Sequence, residues 1–241
     1  MKLSDYRRLG WDTETTGVQV HEARIVTAAL VVRGGNLPDR TFSYIINPQI
    51  PIPAAASAVH GITDERAQAE GADPKEALEE IASRLTAALV HGMPVVAFNQ
   101  SFDWSVLHYD LARHGLLTMA DRLDGDPATL LDPHVIDRQC TPKLRGKGLR
   151  KLKPTCERYG VALEDWHTAE ADALAALLLA DAQFDYHPQL NEMGPQQLFA
   201  AQRAWRAEQQ TGLQEFLRKS EPSAYCAPEW PLIPAQRGEG E

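Results

Sequence analysis

The sequence predicts an α/β fold in which a mixed β-sheet is flanked by helices. Three strand-like runs come first, the first starting at Leu9 and the others covering residues 24–33 and 42–46, with a glycine turn signal at 34–36. Helical and strand-like patterns then alternate, which is typical of a sheet covered by helices. The first three runs are therefore predicted to form an antiparallel meander.

The later elements follow from apolar spacing and from residues that end helices. Residues 75–91 are predicted as an amphipathic helix, because apolar side chains recur at helical spacing and Gly92 follows its end. Residues 95–98 are predicted as a short buried strand, and residues 130–136 as another strand or a strand-like turn. The remaining helices are predicted over 103–114, 149–159, 169–184 and from Pro195 to about 219, and a loosely ordered tail over 221–241.

Composition excludes several classes of protein. The 241 residues carry a net charge of −9, and 44% of them are apolar, so a sizeable core can form. No apolar run approaches the roughly 20 residues of a membrane span, and the N-terminus has no apolar signal core, so we expect a cytoplasmic protein outside membranes. Three cysteines without a C-x-x-C pair indicate reduced thiols. The acidic balance argues against a broad basic face for duplex binding, but not against a carboxylate site filled by metal ions.

Two carboxylates end the first predicted strand. Alternation along a strand places Asp12 and Glu14 on the same face. Their repulsion favours a bound cation, and hard oxygen ligands suit Mg²⁺ or Mn²⁺. In the turn at 15–17, backbone N–H groups can approach a ligand because glycine presents no side chain. A D-x-E pair alone is weak support, since solvated turn acids are common in an acidic chain.

Two later motifs place polar residues at the starts of helices. The string NQSFD at 99–103 follows the strand predicted at 95–98, so Asp103 lies at a helix N-terminus, where it could instead be a simple N-cap. His167 precedes a mostly apolar helix, and Asp172 lies just inside it. A carboxylate on a buried helix needs a partner for its charge, and a metal shared with the first two carboxylates would supply one.

The order of these motifs resembles that of the DEDDh exonuclease family: D-x-E on the first strand, N-x-x-F-D after a later strand, and H-x-x-x-x-D at a late helix. The resemblance covers about residues 9–184. Its motif positions are all filled, by Asp12, Glu14, Asp103, His167 and Asp172. A further match, the string VHGITD at 59–64, is similar to the family's substrate-side loop. The most similar branch contains the proofreading epsilon subunit of bacterial DNA polymerase III.

This resemblance implies a ribonuclease-H-like fold with a mixed five-stranded sheet, in an exonuclease domain over residues 1–186 followed by a C-terminal helix over 195–220. It implies two divalent cations, Mg²⁺ or Mn²⁺, which Asp12, Glu14, Asp103 and Asp172 would hold, with His167 as the general base. The residues expected to hold the terminal nucleotides are Thr15, Gly17, His60, Asn99 and Phe102. Residues 143–150 are either a phosphate contact or a solvated loop.

The implied activity is metal-dependent 3′→5′ release of nucleoside 5′-monophosphates from single-stranded ends, with DNA favoured over RNA in a proofreading or repair role. The alternative within enzymes is trimming of RNA 3′ ends or oligoribonucleotides, which depends on whether the pocket accepts a 2′-hydroxyl. An alternative of another class is a non-catalytic module associated with a polymerase, against which the full set of acids and the histidine argues. The C-terminal helix could dock onto a polymerase, contact a second copy of the chain, or simply cover the domain.

Overall fold

The computed structural model describes residues 2–162 and 168–235. Its sheet comprises β1 (Arg8–Thr15), β2 (Ile25–Arg33), β3 (Arg40–Ile45), β4 (Val95–Val96) and β5 (Leu130–Leu131). The strand order is β3-β2-β1-β4-β5, in which β2 runs antiparallel to both neighbours, whereas β1, β4 and β5 run parallel. The predicted meander and the mixed five-stranded sheet are therefore confirmed.

Helices cover the sheet on both faces. They are α1 (Ala54–His60), α2 (Asp64–Glu70), α3 (Pro74–Val90), α4 (Gln100–Arg113), α5 (Met119–Arg122), α6 (Pro133–Cys140), α7 (Leu152–Arg158), α8 (Ala169–Tyr186) and α9 (Pro195–Leu217), with short 3-10 turns at Leu3–Asp5 and Pro188–Glu192. Among the described residues, no helix combines the length and the apolarity that crossing a bilayer requires. Helices α3, α4, α7, α8 and α9 lie where apolar spacing predicts them.

The interpretation of residues 130–136 as a strand or strand-like turn needs correction. Only Leu130 and Leu131 pair in the sheet, and α6 begins at Pro133. The Asp132 side chain caps this helix, because its Oδ1 accepts the backbone N–H of His134 at 2.9 Å. A capping aspartate followed by proline at the first helical position outweighs the short apolar run.

Two apolar layers hold the helices on opposite faces of the sheet. On one face, Trp11 of β1 is fully buried in a cluster with α3 and α4 residues such as Leu85 and Leu107. On the other face, Val96 of β4 packs in a second cluster with Leu177 of α8. Successive side chains of β1 therefore point alternately towards α3 and α4 and towards α8.

The C-terminal helix closes the outer edge of the sheet. The Gln202 side chain accepts the Asp132 N–H at 2.7 Å and donates to the Leu130 carbonyl at 3.0 Å. Beyond α9, the described part of the tail, residues 221–235, packs back onto the domain. Trp230 lies on the Phe199 ring, with ring centroids 5.1 Å apart. The sequence gives no sign of these tail contacts.

Candidate active site

Three carboxylates meet at the carboxyl end of β1. Asp12 and Glu14 point towards α8, and Asp172 lies in the first turn of that helix, whose N-cap is Thr168. The Thr168 hydroxyl accepts the Ala171 N–H at 3.2 Å, which fixes the start of the helix. Each of the three carboxylates offers an oxygen that lies within 4.8 Å of the other two. A single cation can therefore contact all three.

Burial and mutual repulsion make this cluster unfavourable without a cation. Burial raises the pKa of Asp12 well above its ordinary value, and the charges of Asp103, Asp172 and Glu14 raise it further. Burial, followed by the charge of Asp172, raises the pKa of Glu14 to about 7. Near neutral pH, protons or metal ions must therefore offset part of the negative charge.

Asp103 approaches the cluster from the other side of β1. It lies in the first turn of α4 and is 3% exposed. Its Oδ1 accepts the Thr13 N–H at 3.0 Å and the Thr13 hydroxyl at 2.7 Å. Burial raises the pKa of Asp103 to about 7, although the hydrogen bonds from Thr13 lower it. Asp103 is thus fixed on Thr13, the residue that follows Asp12, and its charge acts on Asp12. Among the described residues it is not part of the three-carboxylate cluster. His167 lies outside the described residues.

A cleft of about 490 Å³ adjoins the carboxylates and contains four of the five residues expected to hold nucleotides. Thr15, Gly17, His60 and Phe102 line it, together with Glu14. The Thr15 hydroxyl donates to the Gly17 carbonyl at 2.7 Å, and a Cβ added to Gly17 would meet no atom within 4 Å. The turn at 15–17 is therefore open on its cleft side.

His60 presents a hydrogen-bond donor to its surroundings. It is the last residue of α1. Its Nδ1 accepts the Ile62 N–H at 3.2 Å, and burial lowers the pKa of the ring, which favours the neutral form. The proton of the neutral ring is then on Nε2. Nε2 is buried and has no hydrogen-bond partner among the described residues.

Asn99 is placed differently from the other expected nucleotide contacts. It does not line the cleft but occupies a left-handed backbone conformation (φ 64°) directly before α4. Its N–H donates to Asp132 Oδ1 at 3.0 Å, so the buried Asp132 holds the entry to the helix that carries Asp103. Sequence reasoning missed Asp132, although an aspartate before proline after an apolar pair is a helix-start signal.

Two exposed apolar residues and one cation near the cleft were also missed. Val18 and Val59 stand at its rim and are 82% and 59% exposed. Arg66 lines a second cleft of about 420 Å³ that shares Glu14 and His60 with the first. Val59 begins the VHGITD string, but only His60 of that string was expected to contact the nucleotide. No sequence pattern marks Val18 or Arg66, because each is an ordinary surface residue of a turn or a short helix.

Gly10 allows β1 and α8 to approach closely enough for the carboxylates to meet. A Cβ at this position would lie 2.5 Å from the Ala173 carbonyl oxygen and 2.5 Å from Leu177 Cγ. We expect Gly10→Ala to lower the free energy of unfolding by about 1–3 kcal/mol and to weaken Mn²⁺ binding, because the two elements must separate. Thermal denaturation and metal titration measure both effects.

Gly212→Ala is the matched control for this substitution. Gly212 lies inside α9, where an added Cβ meets no atom within 4 Å. The same change should there leave metal binding unaltered and raise stability slightly, because alanine favours helix. Equal metal affinity in the wild type and in Gly10→Ala would contradict the proposed role of the close approach.

Comparison with known proteins places the chain in a family. Residues 9–180 match the family model RNase_T, which is described as exonuclease. The chain is 30% identical over 177 residues to the PolC-type DNA polymerase III of Streptococcus thermophilus, a match that covers 73% of the chain and 11% of that protein. The corresponding Bacillus subtilis protein is 28% identical over 207 residues, which cover 82% of the chain and 13% of that protein.

Solved exonuclease structures have the same fold. Escherichia coli exonuclease I in complex with a dT13 oligonucleotide superposes with a TM-score of 0.63 at 19% identity, covering 78% of this chain and 43% of that one. Exonuclease I from Methylocaldum szegediense gives 0.63 at 20% identity, covering 77% and 42%. The chain thus spans about a tenth of the PolC relatives' length and less than half of these structures. It belongs to the exonuclease family, as a DEDD-type member with a ribonuclease-H-like fold.

Proposed function

We propose that the protein is a metal-dependent 3′→5′ exonuclease that releases nucleoside 5′-monophosphates from single-stranded DNA ends. The meeting of Asp12, Glu14 and Asp172 beside an open cleft carries this proposal. The dT13 oligonucleotide bound to the exonuclease I neighbour supports a single-stranded substrate. The PolC-type relatives favour DNA over RNA and make a polymerase a reasonable partner.

The carboxylates suit divalent cations of the Mg²⁺ or Mn²⁺ type, because every donor is a hard oxygen and the cluster is strongly acidic. Asp12, Glu14 and Asp172 would hold one ion, and Asp12 with Asp103 would support a second. When bound, the ions would neutralise charge on the scissile phosphate and promote ionisation of the attacking water. His167 would accept the proton of that water, as its ordinary pKa near neutrality allows.

The cleft residues would orient the terminal nucleotide. His60 lines the cleft, and its Nε2, which is buried and without a partner among the described residues, would donate to a sugar or phosphate oxygen once the ring turns towards the nucleotide. The open turn at Gly17 admits the nucleotide close to the backbone. Phe102 offers a ring on which any base can stack, giving a grip that tolerates sequence. Asn99 would act by fixing the start of α4 rather than by lining the cleft.

The proposal is tested with single-stranded DNA and RNA carrying a label at the 3′ or the 5′ end, incubated with Mg²⁺, Mn²⁺ or chelator. We expect stepwise shortening of 5′-labelled DNA, early release of the 3′ label as mononucleotide, and no reaction with chelator. Glu14→Gln should be inactive, whereas Glu76→Gln, a change of an exposed acid on α3, should be active. Internal cuts, or activity that survives chelation, would refute the proposal. Preference for RNA would replace the DNA substrate by the oligoribonucleotide alternative.

His167→Ala should lower kcat by about 10²- to 10⁴-fold, because a general base in this reaction contributes about that much. Metal binding should persist, since the carboxylates remain in place. Turnover measured under saturating substrate and isothermal titration with Mn²⁺ separate the two effects. Unchanged turnover would remove His167 as the base and leave the carboxylate site itself untouched.

A further inference from the structure

A loop between α6 and α7 concentrates positive charge in an acidic protein. Residues 138–156 contain seven of the chain's 24 lysines and arginines and no aspartate or glutamate, although the whole chain has a net charge of −9. Within this stretch we call residues 141–151 the basic loop. Its exposed cations are Lys143, Arg145, Lys147 and Lys151. A concentration of positive charge on one exposed segment of an acidic protein indicates a surface that binds an anionic ligand.

The base of the basic loop is fixed by internal ion pairs. Arg150 Nη1 donates to Asp137 Oδ2 at 2.8 Å, and Arg158 of α7 donates to the other oxygen of Asp137 at 2.8 Å. Asp137 is fully buried, so these two arginines serve the fold. Arg150 also donates to the Thr141 carbonyl at 2.6 Å, which ties the start of the loop to its end.

The remaining cations of the basic loop are exposed to solvent. Gly146 and Gly148 have φ values of 136° and 80°, which side-chain-bearing residues rarely adopt. Exposed Arg145 and Lys147 lie on either side of Gly146, and Lys147 directly precedes Gly148. Lys143, Arg145 and Lys147 form no ion pair among the described residues. Arg145 Nη1 donates to the Pro142 and Leu144 carbonyls of the loop itself, but no carboxylate neutralises its charge, so all three charges can attract an anionic ligand.

The end of the basic loop reaches the flank of the carboxylate site. Leu152, the first residue of α7, packs in one cluster with Phe98, directly before Asn99, and with Ala175 of α8. The charge of Asp172 acts on the neighbouring α7 residue Cys156, whose pKa is raised to about 12, first by burial and then by that charge. The basic loop is thus continuous with α7, and α7 packs against α8 near the first turn of α8, which carries Asp172.

We propose that Lys143, Arg145 and Lys147 bind the phosphate backbone of the substrate strand upstream of its terminal nucleotide. This rests on the proposed function and extends it from the cleft at His60 and Phe102, where the strand's end would lie, to the part of the strand further from that end. Lysine and arginine side chains bind successive phosphates without reading sequence, and binding releases condensed counterions. The strand would therefore be held along α7 while its end lies at the carboxylates. Longer strands would bind more tightly than short ones.

The test compares two triple variants of equal composition and charge. In Lys143→Gln/Arg145→Gln/Lys147→Gln the loop is neutralised, and in Arg40→Gln/Lys75→Gln/Lys219→Gln three exposed cations on other elements are removed. Both are assayed on a dinucleotide and on a single strand of about 15 nucleotides, a length that exceeds a typical terminal pocket. KM, kcat and the dependence of KM on salt are measured.

For the loop variant we expect KM on the longer strand to rise about tenfold at unchanged kcat, and the salt slope of log affinity to fall by about 2. Dinucleotide hydrolysis should stay at the wild-type rate, and the control variant should resemble the wild type on both substrates. Equal loss in the two variants, or equal loss on both substrates, would overturn the proposal. Failure of the proposed function is distinct, because the wild type would then release no nucleotide from either substrate.

Discussion

Asp12→Asn should abolish nucleotide release while making the metal-free protein more stable. Asp12 is the buried centre of the carboxylate group, and Asp103, Asp172 and Glu14 all repel its charge. Removing that charge relieves repulsion that folding must otherwise offset, which we expect to add about 1–2 kcal/mol to the free energy of unfolding in chelator. The same change removes a ligand shared by both proposed cations. Because metal ions contribute several kcal/mol to such a reaction, activity should fall at least about 10³-fold.

Urea denaturation in chelator and in Mg²⁺ measures both sides of this prediction. The wild type should gain stability when Mg²⁺ is added, and Asp12→Asn should gain much less. Asp39→Asn, a change of an exposed aspartate that pairs with Arg33 far from the carboxylates, is the matched control and should behave as the wild type. A metal-free Asp12→Asn protein that is less stable than the wild type would show that the carboxylates do not repel one another as described.

Without divalent cations, the stability that depends on Glu14 should decrease as pH rises from about 4.5 to 7. The pKa of Glu14 is raised to about 7 in the folded protein, whereas an unfolded glutamate has its ordinary value near 4.5. Between these values the folded state binds the extra proton, so raising the pH favours unfolding. Because Glu14 is partly exposed, we expect a loss of about 2 kcal/mol rather than the full value for the shift.

The measurement is the difference in free energy of unfolding between the wild type and Glu14→Gln, taken at intervals from pH 4 to 8 in chelator. A difference is needed because half-buried His134 titrates with the opposite sign: desolvation lowers its pKa to about 3, so its contribution to stability rises with pH. In Mg²⁺ the trend for Glu14 should reverse, since the ion binds the ionised carboxylate. A wild-type minus variant difference that stays flat in chelator would contradict the shifted pKa of Glu14.

Much of the fold could be predicted because its central elements carry strong periodic patterns. The central strand of the meander, β2, is long and apolar, and α3 buries Leu78, Ile81 and Leu85 at helical spacing. By contrast, α1 buries none of its residues, so its sequence has no apolar stripe to reveal it. Strands β4 and β5 pair over only two residues each, too few for a pattern to set their ends.

The same reasoning explains which parts of the candidate site could be predicted. Strand alternation placed Asp12 and Glu14 on one face, and the start of α8 placed Asp172 near them. Asp103 lies apart from this group and accepts hydrogen bonds from Thr13 instead. This arrangement depends on how closely α4 packs against β1. Sequence does not encode that packing in any local pattern. The hold of Asp132 on Asn99 and the place of Arg66 in a cleft likewise arise from tertiary contacts, although the capping of α6 by Asp132 is local.

The amide of Gln202 has a consequence for self-association. Its oxygen and nitrogen occupy the backbone groups of Asp132 and Leu130 that a sixth strand would otherwise use. A single side chain thus protects the edge strand β5 from pairing with a strand of another molecule. Such pairing at an exposed edge strand is a common route to aggregation. Among residues 2–162 and 168–235, no glutamine side chain covers the opposite edge strand, β3, in this way, so strand addition from another molecule is expected at β3 rather than at β5.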